Sequence, residues 1–418
     1  MKILFVHQNF PGQFVHLAPA LVAEGHEVFA LRLSSKSVEE WEGVRIFNYT
    51  VSQGTTVGVH PWAEDFETKV IRAEGCLNKA RELDRLSIKP DVILAHHGWG
   101  ESMFLKDLWP KAKLALYCEY YYQEDGADVG FDPEFQPDDV LLDKIRLKLK
   151  NVNNKLQFEN ADAGISPTKW QASTFPEPFK SKITVIHDGI KTKLLKPDYN
   201  IVANVNRPHG AVKIQNSDEI ITFVSRNLEP YRGYHIFMRA LPELLQRRPN
   251  ARVLIVGNDS VSYGAAPEKY KYKETTWKQI FANEVKDKIS KKDWERVHFL
   301  GQIPYDRFIA LLQLSSCHIY LTYPFVLSWS LMEAMSVGCR IVASDTEPLH
   351  EVIDSGHTGL LVNFFDQAAI VKACERLLDD KQLGEKLGKN AREFAKKNYD
   401  LETKCLPEQI AWINRLVR

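Results

Sequence analysis

Arg226 and Arg232 lie on either side of a turn in the stretch SRNLEPYRGYH, where Pro230 and Gly233 mark the bend. Two guanidiniums on one loop call for an anion, and their planar, multi-donor geometry suits a diphosphate. The competing reading is a pair of surface arginines bridging Glu229. Further on, YPFVLSWSLMEAM carries a single carboxylate, Glu333, at the inner end of an apolar run. A buried charge without a partner costs several kcal/mol. Its partner is either a neighbouring Lys or Arg, or a pair of vicinal hydroxyls such as a ribose offers. The hydroxyls of Ser328 and Ser330, and the backbone N–H groups of Val326, Leu327, Ser328 and Trp329, can face phosphate oxygens at the start of the helix that carries Glu333.

The N-terminal half offers a second set. Gly12, in HQNFPGQF, sits where a strand turns toward a helix, either for close backbone approach to a phosphate or other polar group, or simply for the turn. HHGWGES places His96, His97, Trp99 and Glu101 at the end of a strand. Either histidine can line a ligand site or be a satisfied structural residue. Glu119 ends the next strand and opens YYYQEDGADVGFDPEF, an acidic and aromatic loop suited to stacking on sugar rings, or else a solvated acidic loop.

The elements that must position these residues repeat a pattern. KILFVH, a helical stretch through FVHLAPALVAEG, and HEVFALRL form a βαβ unit. DVILAHH, KLALYCE, ADAGISP and ITVIHDG continue it, with a basic amphipathic helix near 137–159. From 190 to 219 the pattern gives way to a polar segment with no clear period, read as a linker at 196–219. The alternation then restarts with ITFVSR, RVLIVGN, VHFLG, CHIYLTYP, RIVASD and TGLLVNF. Strands alternating with helices imply parallel sheets covered on both faces. The expected fold class is therefore α/β, with Rossmann-like domains at 1–195 and 220–398 facing a cleft, and a helix at 399–418. Ligands in such sheets bind at the carboxyl ends of the strands.

At 418 residues the chain is long enough for two cores, and with 54 basic and 54 acidic residues it has no net charge to draw nucleic acid. Six scattered cysteines without a CxxC pair read as reduced thiols of a cytoplasmic protein. The start MKILFVHQNFPG lacks the long apolar region of a signal peptide, and no stretch approaches the roughly 20 apolar residues that span a bilayer. KIRLKLKNVNNK, at 144–155, is either a solvated helix face or a peripheral contact with an anionic membrane. No convincing metal cluster is visible, and neither a metal nor a cofactor is expected.

RNLEPYRG, VHFLGQIPYDRF, SLMEAMSVGCRIVASDTEPLHEVI and TGLLV, in this order and spacing, closely resemble the C-terminal domain of the GT-B glycosyltransferases of family 4, the retaining group 1 type. AGISPTKWQAS followed by ITVIHDGI resembles the end of their first domain, so the likeness spans essentially the whole chain. The resemblance implies that Arg226 and Arg232 hold a donor diphosphate, with Arg232 where the family usually has lysine. It implies that Glu333 binds the nucleotide ribose, and that the backbone at Gln302 and Ile303 meets the base. It also implies an NDP-sugar donor, UDP- or GDP-linked, and a glycan, lipid-linked or small-molecule acceptor in bacterial glycan or glycolipid synthesis. The last helix, with Trp412, would pack on the first domain.

Two positions depart from the family pattern. The family's first glutamate, which contacts the donor sugar, is replaced by Phe325, and a histidine common after the KLALY strand is replaced by Glu119. The expected catalytic set is Arg226, Arg232, Glu119 and His97. Rival readings are an NDP-sugar epimerase of the same fold and a non-catalytic partner subunit.

Overall fold

The structure, a computed structural model, describes residues 1–36, 39–207, 210–270, 272 and 274–417. The chain divides into two compact units: Met1–Gly130, Gln136–Gly189 and Leu401–Arg418 make unit 1, and Phe131–Phe135 with Ile190–Asp400 make unit 2.

Unit 1 is built on an eight-stranded sheet: β1 (Lys2–Val6), β2 (Glu27–Leu33), β3 (Glu39–Trp41), β4 (Val44–Tyr49), β5 (Val92–His96), β6 (Lys113–Tyr117), β7 (Ala163–Ser166) and β8 (Ile183–Val185), in the order β3-β4-β2-β1-β5-β6-β7-β8. Every pairing is parallel except β3 with β4. β1 and β5 are buried along nearly their whole length, as expected of central parallel strands with helices on both faces. Trp412, in the last helix Leu406–Leu416, is buried in the same core as Ile3, Phe5 and Leu17.

Unit 2 holds β9 (Val202–Arg207) and β10 (Gly210–Gln215), an antiparallel pair, and a six-stranded parallel sheet. That sheet comprises β11 (Ile220–Asn227), β12 (Arg252–Asn258), β13 (Val297–Gly301), β14 (Cys317–Tyr320), β15 (Ile341–Ser344) and β16 (Leu360–Val362), ordered β13-β12-β11-β14-β15-β16. In both units the chain order reverses beside a central strand, and such a switch point opens a crevice at the strand ends.

Three sequence expectations change. The segment read as an irregular linker contains the β9–β10 pair: its short alternation turns Val205 and Ile214 into the core beside Leu254 and Tyr320. The basic helix is two helices, Val140–Lys150 and Val152–Asn160. The acidic, aromatic loop is not solvated throughout: Asp125 is exposed, but Tyr120 is buried and Tyr121 and Tyr122 are half-buried. Tyr120 donates to Asp128 at 2.6 Å, Tyr121 packs on Phe158 and Phe175, and Lys150 lies over the Tyr122 ring. Phe131 and Phe135 pack into unit 2 against Tyr323, Phe364, Tyr270 and Trp277.

Candidate functional site

In unit 2, Arg226 is exposed at the end of β11 and has no hydrogen-bond or ion-pair partner among the described residues. Arg232 follows in a 3-10 turn closed by Gly233 at φ 68°, where a Cβ would fall 2.3 Å from that of Leu321, so the turn needs glycine. Its guanidinium is buried and donates to Thr322 Oγ1 at 2.8 Å and to the Val326 carbonyl at 3.2 Å, tying this loop to the one after β14. It also lies over the rings of Tyr263 and Phe325. No described carboxylate pairs with it. Burial works against its charge, but the phenols of Tyr320 and Tyr263 and the carboxylate of Glu229 hold its pKa above the ordinary value.

Glu229 does not bridge the two arginines. It is fully buried and accepts the backbone N–H groups of Ser262, Tyr263 and Gly264. Burial still raises its pKa against those bonds.

Glu333 sits in the helix Trp329–Val337, which Ser328 caps and which ends on Gly338 at φ 82°. The helix lies close against Lys381–Tyr399: a Cβ on Gly388 would come within 2.3 Å of the Gly338 carbonyl oxygen. The partner of Glu333 is neither lysine nor arginine but the Tyr305 hydroxyl, which donates to Oε1 at 2.6 Å. Burial raises the carboxyl pKa and the phenol lowers it. Tyr305 opens the helix after β13, beside Gln302 and the half-buried Ile303; Gln302 accepts from Asn258 Nδ2 at 3.3 Å. Nothing in the sequence singled out Tyr305 except its place four residues past VHFLG.

Some groups offered to a phosphate are already engaged. Ser328 N–H donates to the Tyr320 hydroxyl at 3.2 Å, and the Ser328 and Ser330 hydroxyls bond each other at 2.9 Å. The N–H groups of Val326 and Leu327 bond no described residue, so the free donors precede the helix instead of lying within it. Phe325 is buried, its ring 5.0 Å from that of Tyr263 and 5.6 Å from that of Tyr231.

In unit 1, Glu119 lies at the end of β6 with 37% of its side chain exposed. Its Oε1 accepts from Gln13 Nε2 at 3.0 Å and its Oε2 from His96 Nε2 at 3.2 Å. Burial opposes its charge, but the His96 bond and nearby imidazoles bring its pKa below the ordinary value. Gln13 Oε1 accepts from His7 Nε2 at 2.7 Å. Trp99 stacks on His96 at 4.0 Å and meets His7 edge-on at 4.7 Å.

His97 is not part of this set. It is buried, bonded through Nδ1 to Asn154 at 2.8 Å, and enclosed by Phe158 and Phe175. Burial and the neighbouring His96 push its pKa down to about 3. The histidine that meets Glu119 is His96; the His97 ring lies parallel to it at 5.6 Å, on the side of Asn154. Gly12 also changes meaning. At φ 47° its missing Cβ leaves room for the His7 ring, which would otherwise be 2.3 Å away. It seats an imidazole. Glu101 is buried, with Tyr49 donating to it at 2.9 Å.

Among the described residues, Asp132, Glu134 and His235 bring ligand atoms within 4.8 Å of one another. Those atoms have protein partners: Asp132 takes His235 at 2.9 Å and Tyr323 at 2.6 Å, and Arg239 forks onto Glu134 at 2.6 and 2.9 Å. Some charges of the basic segment are paired, Lys144 with Asp125 at 2.7 Å, Arg146 with Asp143 at 2.8 Å and Lys148 with Glu124 at 3.6 Å, while Val140, Leu141 and Leu142 stay exposed. No helix among the described residues is long and apolar enough to cross a membrane.

A family model described as glycosyl transferase family 4 group matches residues 24–195, and one described as glycosyl transferases group 1 matches residues 208–394. A D-inositol 3-phosphate glycosyltransferase of Corynebacterium efficiens is 28% identical over 217 residues, 51% of this chain and 47% of that protein. The chain thus spans about half the length of the first curated relatives it matches. Among solved structures, sucrose-phosphate synthase from Thermosynechococcus elongatus superposes with a TM-score of 0.73 at 17% identity, covering 99% of this chain and 98% of that one. Anabaena HepE, in complex with UDP and glucose, gives 0.66 at 17% identity and covers 99% of both chains. At these identities the likeness is one of fold.

Proposed function

The chain belongs to the group 1 glycosyltransferases of family 4, with the GT-B fold of two Rossmann-like domains, and on that premise we propose that it moves a sugar from an NDP-sugar to an acceptor hydroxyl with retention at the anomeric carbon. The observation that carries this reading is the buried Arg232, a guanidinium with no described carboxylate to pair with, beside the free Arg226 and the phenol-held Glu333. Arg226, Arg232 and the N–H groups of Val326 and Leu327 stabilise the leaving diphosphate as charge develops on it. Glu333, with one oxygen taken by Tyr305, receives the ribose hydroxyls through its remaining lone pairs. The backbone at Gln302 and Ile303 lies on the base side.

No metal is needed, because the arginines meet the charge of the leaving group. Phe325 cannot act as a nucleophile, so the acceptor attacks the front face of the donor, assisted by the leaving phosphate. UDP is the first nucleotide to try, since HepE, which shares the fold, was solved in complex with it, and GDP is the next. The pathway is glycan or glycolipid assembly, with the acceptor free or lipid-linked.

Phe325 also supports a second reading, a subunit that binds a nucleotide-sugar and turns nothing over. Thermal stabilisation by UDP, GDP, ADP, dTDP and CMP separates these readings when paired with NDP release. A ligand at 100 times its Kd adds about 2.7 kcal/mol. One nucleotide should stabilise the protein and lose its effect in Glu333→Ala. Absence of any shift at millimolar nucleotide removes the donor site, and a shift without NDP release in the presence of acceptors leaves the non-catalytic subunit.

A further inference from the structure

We infer that Glu229 and Tyr263 are positioning residues of the donor site in unit 2: Glu229 pins the loop after β12 so that the Tyr263 ring covers Arg232 and fixes its guanidinium for a diphosphate. This rests on the glycosyl-transfer reading and adds to it two residues that act on the diphosphate only through Arg232.

The guanidinium is fastened at one corner. Its hydrogen bonds to Thr322 Oγ1 at 2.8 Å and to the Val326 carbonyl at 3.2 Å both leave from Nη1. A planar fork held through a single nitrogen can still turn, and bidentate recognition of phosphate oxygens needs its plane fixed. Ring faces supply that constraint. The guanidinium carbon lies 5.0 Å from the Tyr263 ring centre and 6.0 Å from that of Phe325, and a cation is drawn to such faces. Those two rings meet at 5.0 Å with their planes 60° apart, and Tyr231 backs Phe325 edge-on at 5.6 Å. The rings form a corner around the charge. Tyr263 is itself half-buried, whereas Arg232 beneath it is only 6% exposed.

The ring stays in place because its loop is tied to the turn that carries Arg232. Tyr263 lies in the connection from Asn258 to Trp277, and the N–H groups of Ser262, Tyr263 and Gly264 donate to Glu229 at 3.1, 3.2 and 3.4 Å. The Glu229 backbone carbonyl accepts the Arg232 N–H at 3.2 Å. One residue therefore holds both the guanidinium's turn and the ring's loop. Glu229 is fully buried, where a carboxylate is costly unless hydrogen-bonded, and the loop N–H groups meet that need. Two further bonds fix the same segment: Asn227 Nδ2 donates to Ser262 Oγ, and Trp277 Nε1 donates to the Ala265 carbonyl at 3.2 Å. Gly264 completes the seat, since a Cβ there would come within 3.1 Å of the Tyr231 ring.

The test titrates inorganic pyrophosphate, a probe that needs no choice of base, into the full chain by phosphorus NMR. The proteins are wild type, Tyr263→Ala, Tyr263→Phe, Glu229→Ala, Glu229→Gln and the double alanine variant. Each single alanine variant should weaken pyrophosphate roughly tenfold, through loss of the ring's hold on the cation. The double variant should be no weaker than either, because Glu229 acts through Tyr263. Tyr263→Phe keeps the ring and Glu229→Gln keeps an accepting oxygen, so both should bind within about threefold of wild type. Should Glu229→Ala fail to fold, hydrogen exchange on Glu229→Gln takes its place: amides 262–264 should exchange faster than in wild type, and unchanged exchange removes Glu229 from the role. The inference is overturned if Tyr263→Ala binds like wild type, or if Tyr263→Phe is as weak as Tyr263→Ala, which would make the hydroxyl the working group. Glu229→Gln as weak as Glu229→Ala also overturns it, since Glu229 would then act by charge alone. So does a double variant whose loss is the product of the single losses. A wild-type protein that binds neither pyrophosphate nor any of the five nucleotides is a different failure, that of the donor site itself, and takes this inference with it.

Discussion

Both units end a parallel sheet in a set of polar side chains, yet they arrive at opposite charge. In unit 2 the acids are answered by uncharged donors: Glu229 by three backbone N–H groups and Glu333 by the Tyr305 phenol. No described carboxylate forms an ion pair with Arg232 or Arg226, although the Glu229 charge still reaches Arg232, and the two guanidiniums leave the strand ends cationic. In unit 1 Glu119 is answered by an amide and an imidazole, and no described lysine or arginine forms an ion pair with it. The difference teaches that the charge of a strand-end site is set by which groups satisfy one another. The count of acids and bases in the loops does not give it. Glu229, at the start of Arg232's turn, spends its hydrogen bonds on the loop at 262–264 and acts on the guanidinium only through its charge.

Mild acid should separate the units most. His7, His97 and His187 in unit 1 have pKa values pushed down by burial to about 4, 3 and 4, whereas His318 is the comparable case in unit 2, at about 4. These folded values lie below the ordinary 6.5, so the unfolded chain binds more protons between pH 6.5 and about 4. Stability is full above that window and falls as pH drops through it. Each histidine costs about 2 kcal/mol at pH 5. Segment-resolved hydrogen exchange at pH 7 and pH 5 should show unit 1 losing about 4 kcal/mol more protection than unit 2, and equal losses would break the comparison.

Arg226→Ala tests the cationic side. Because Arg226 is exposed and unpaired among the described residues, melting should be unchanged, while NDP release falls about 100- to 1,000-fold. Unaltered turnover would remove Arg226 from the site. The smallest effect sharpens the contrast further. Tyr305→Phe deletes a hydrogen bond to the Glu333 carboxylate, worth about 1.5 kcal/mol. The Glu333 pKa, already raised by burial, then rises again, so nucleotide affinity should fall about tenfold relative to wild type, and more in mild acid than at pH 8. Titration calorimetry at the two pH values reads this directly, and parallel profiles would mean that Tyr305 does not hold Glu333.

Much of the fold was written locally. Apolar runs of strand length alternating with helical periods located β1, β2, β5 and β6, and RVLIVGN and VHFLG match β12 and β13 residue for residue. The site was legible where one residue type had few physical alternatives, as with a lone carboxylate in an apolar helix. It was not legible where the answer depended on a partner distant in sequence. The β9–β10 pair was hidden because its alternation is only two or three residues deep on each strand. His96 and His97 are adjacent in sequence and chemically identical, and only the turn after β5 decides that one meets Glu119 and the other Asn154.

The sequence by itself determined two α/β halves, their strands and the residues able to carry charge at the strand ends, because periodicity and residue chemistry are properties of neighbours along the chain. The tertiary structure alone decided that Tyr305 answers Glu333, that Glu229 accepts the backbone N–H groups of 262–264, that His7 rests on Gly12, and that Phe131–Phe135 belong to unit 2. Those choices are made by packing between segments that lie far apart in the chain, where burial makes each polar group take the one partner within reach.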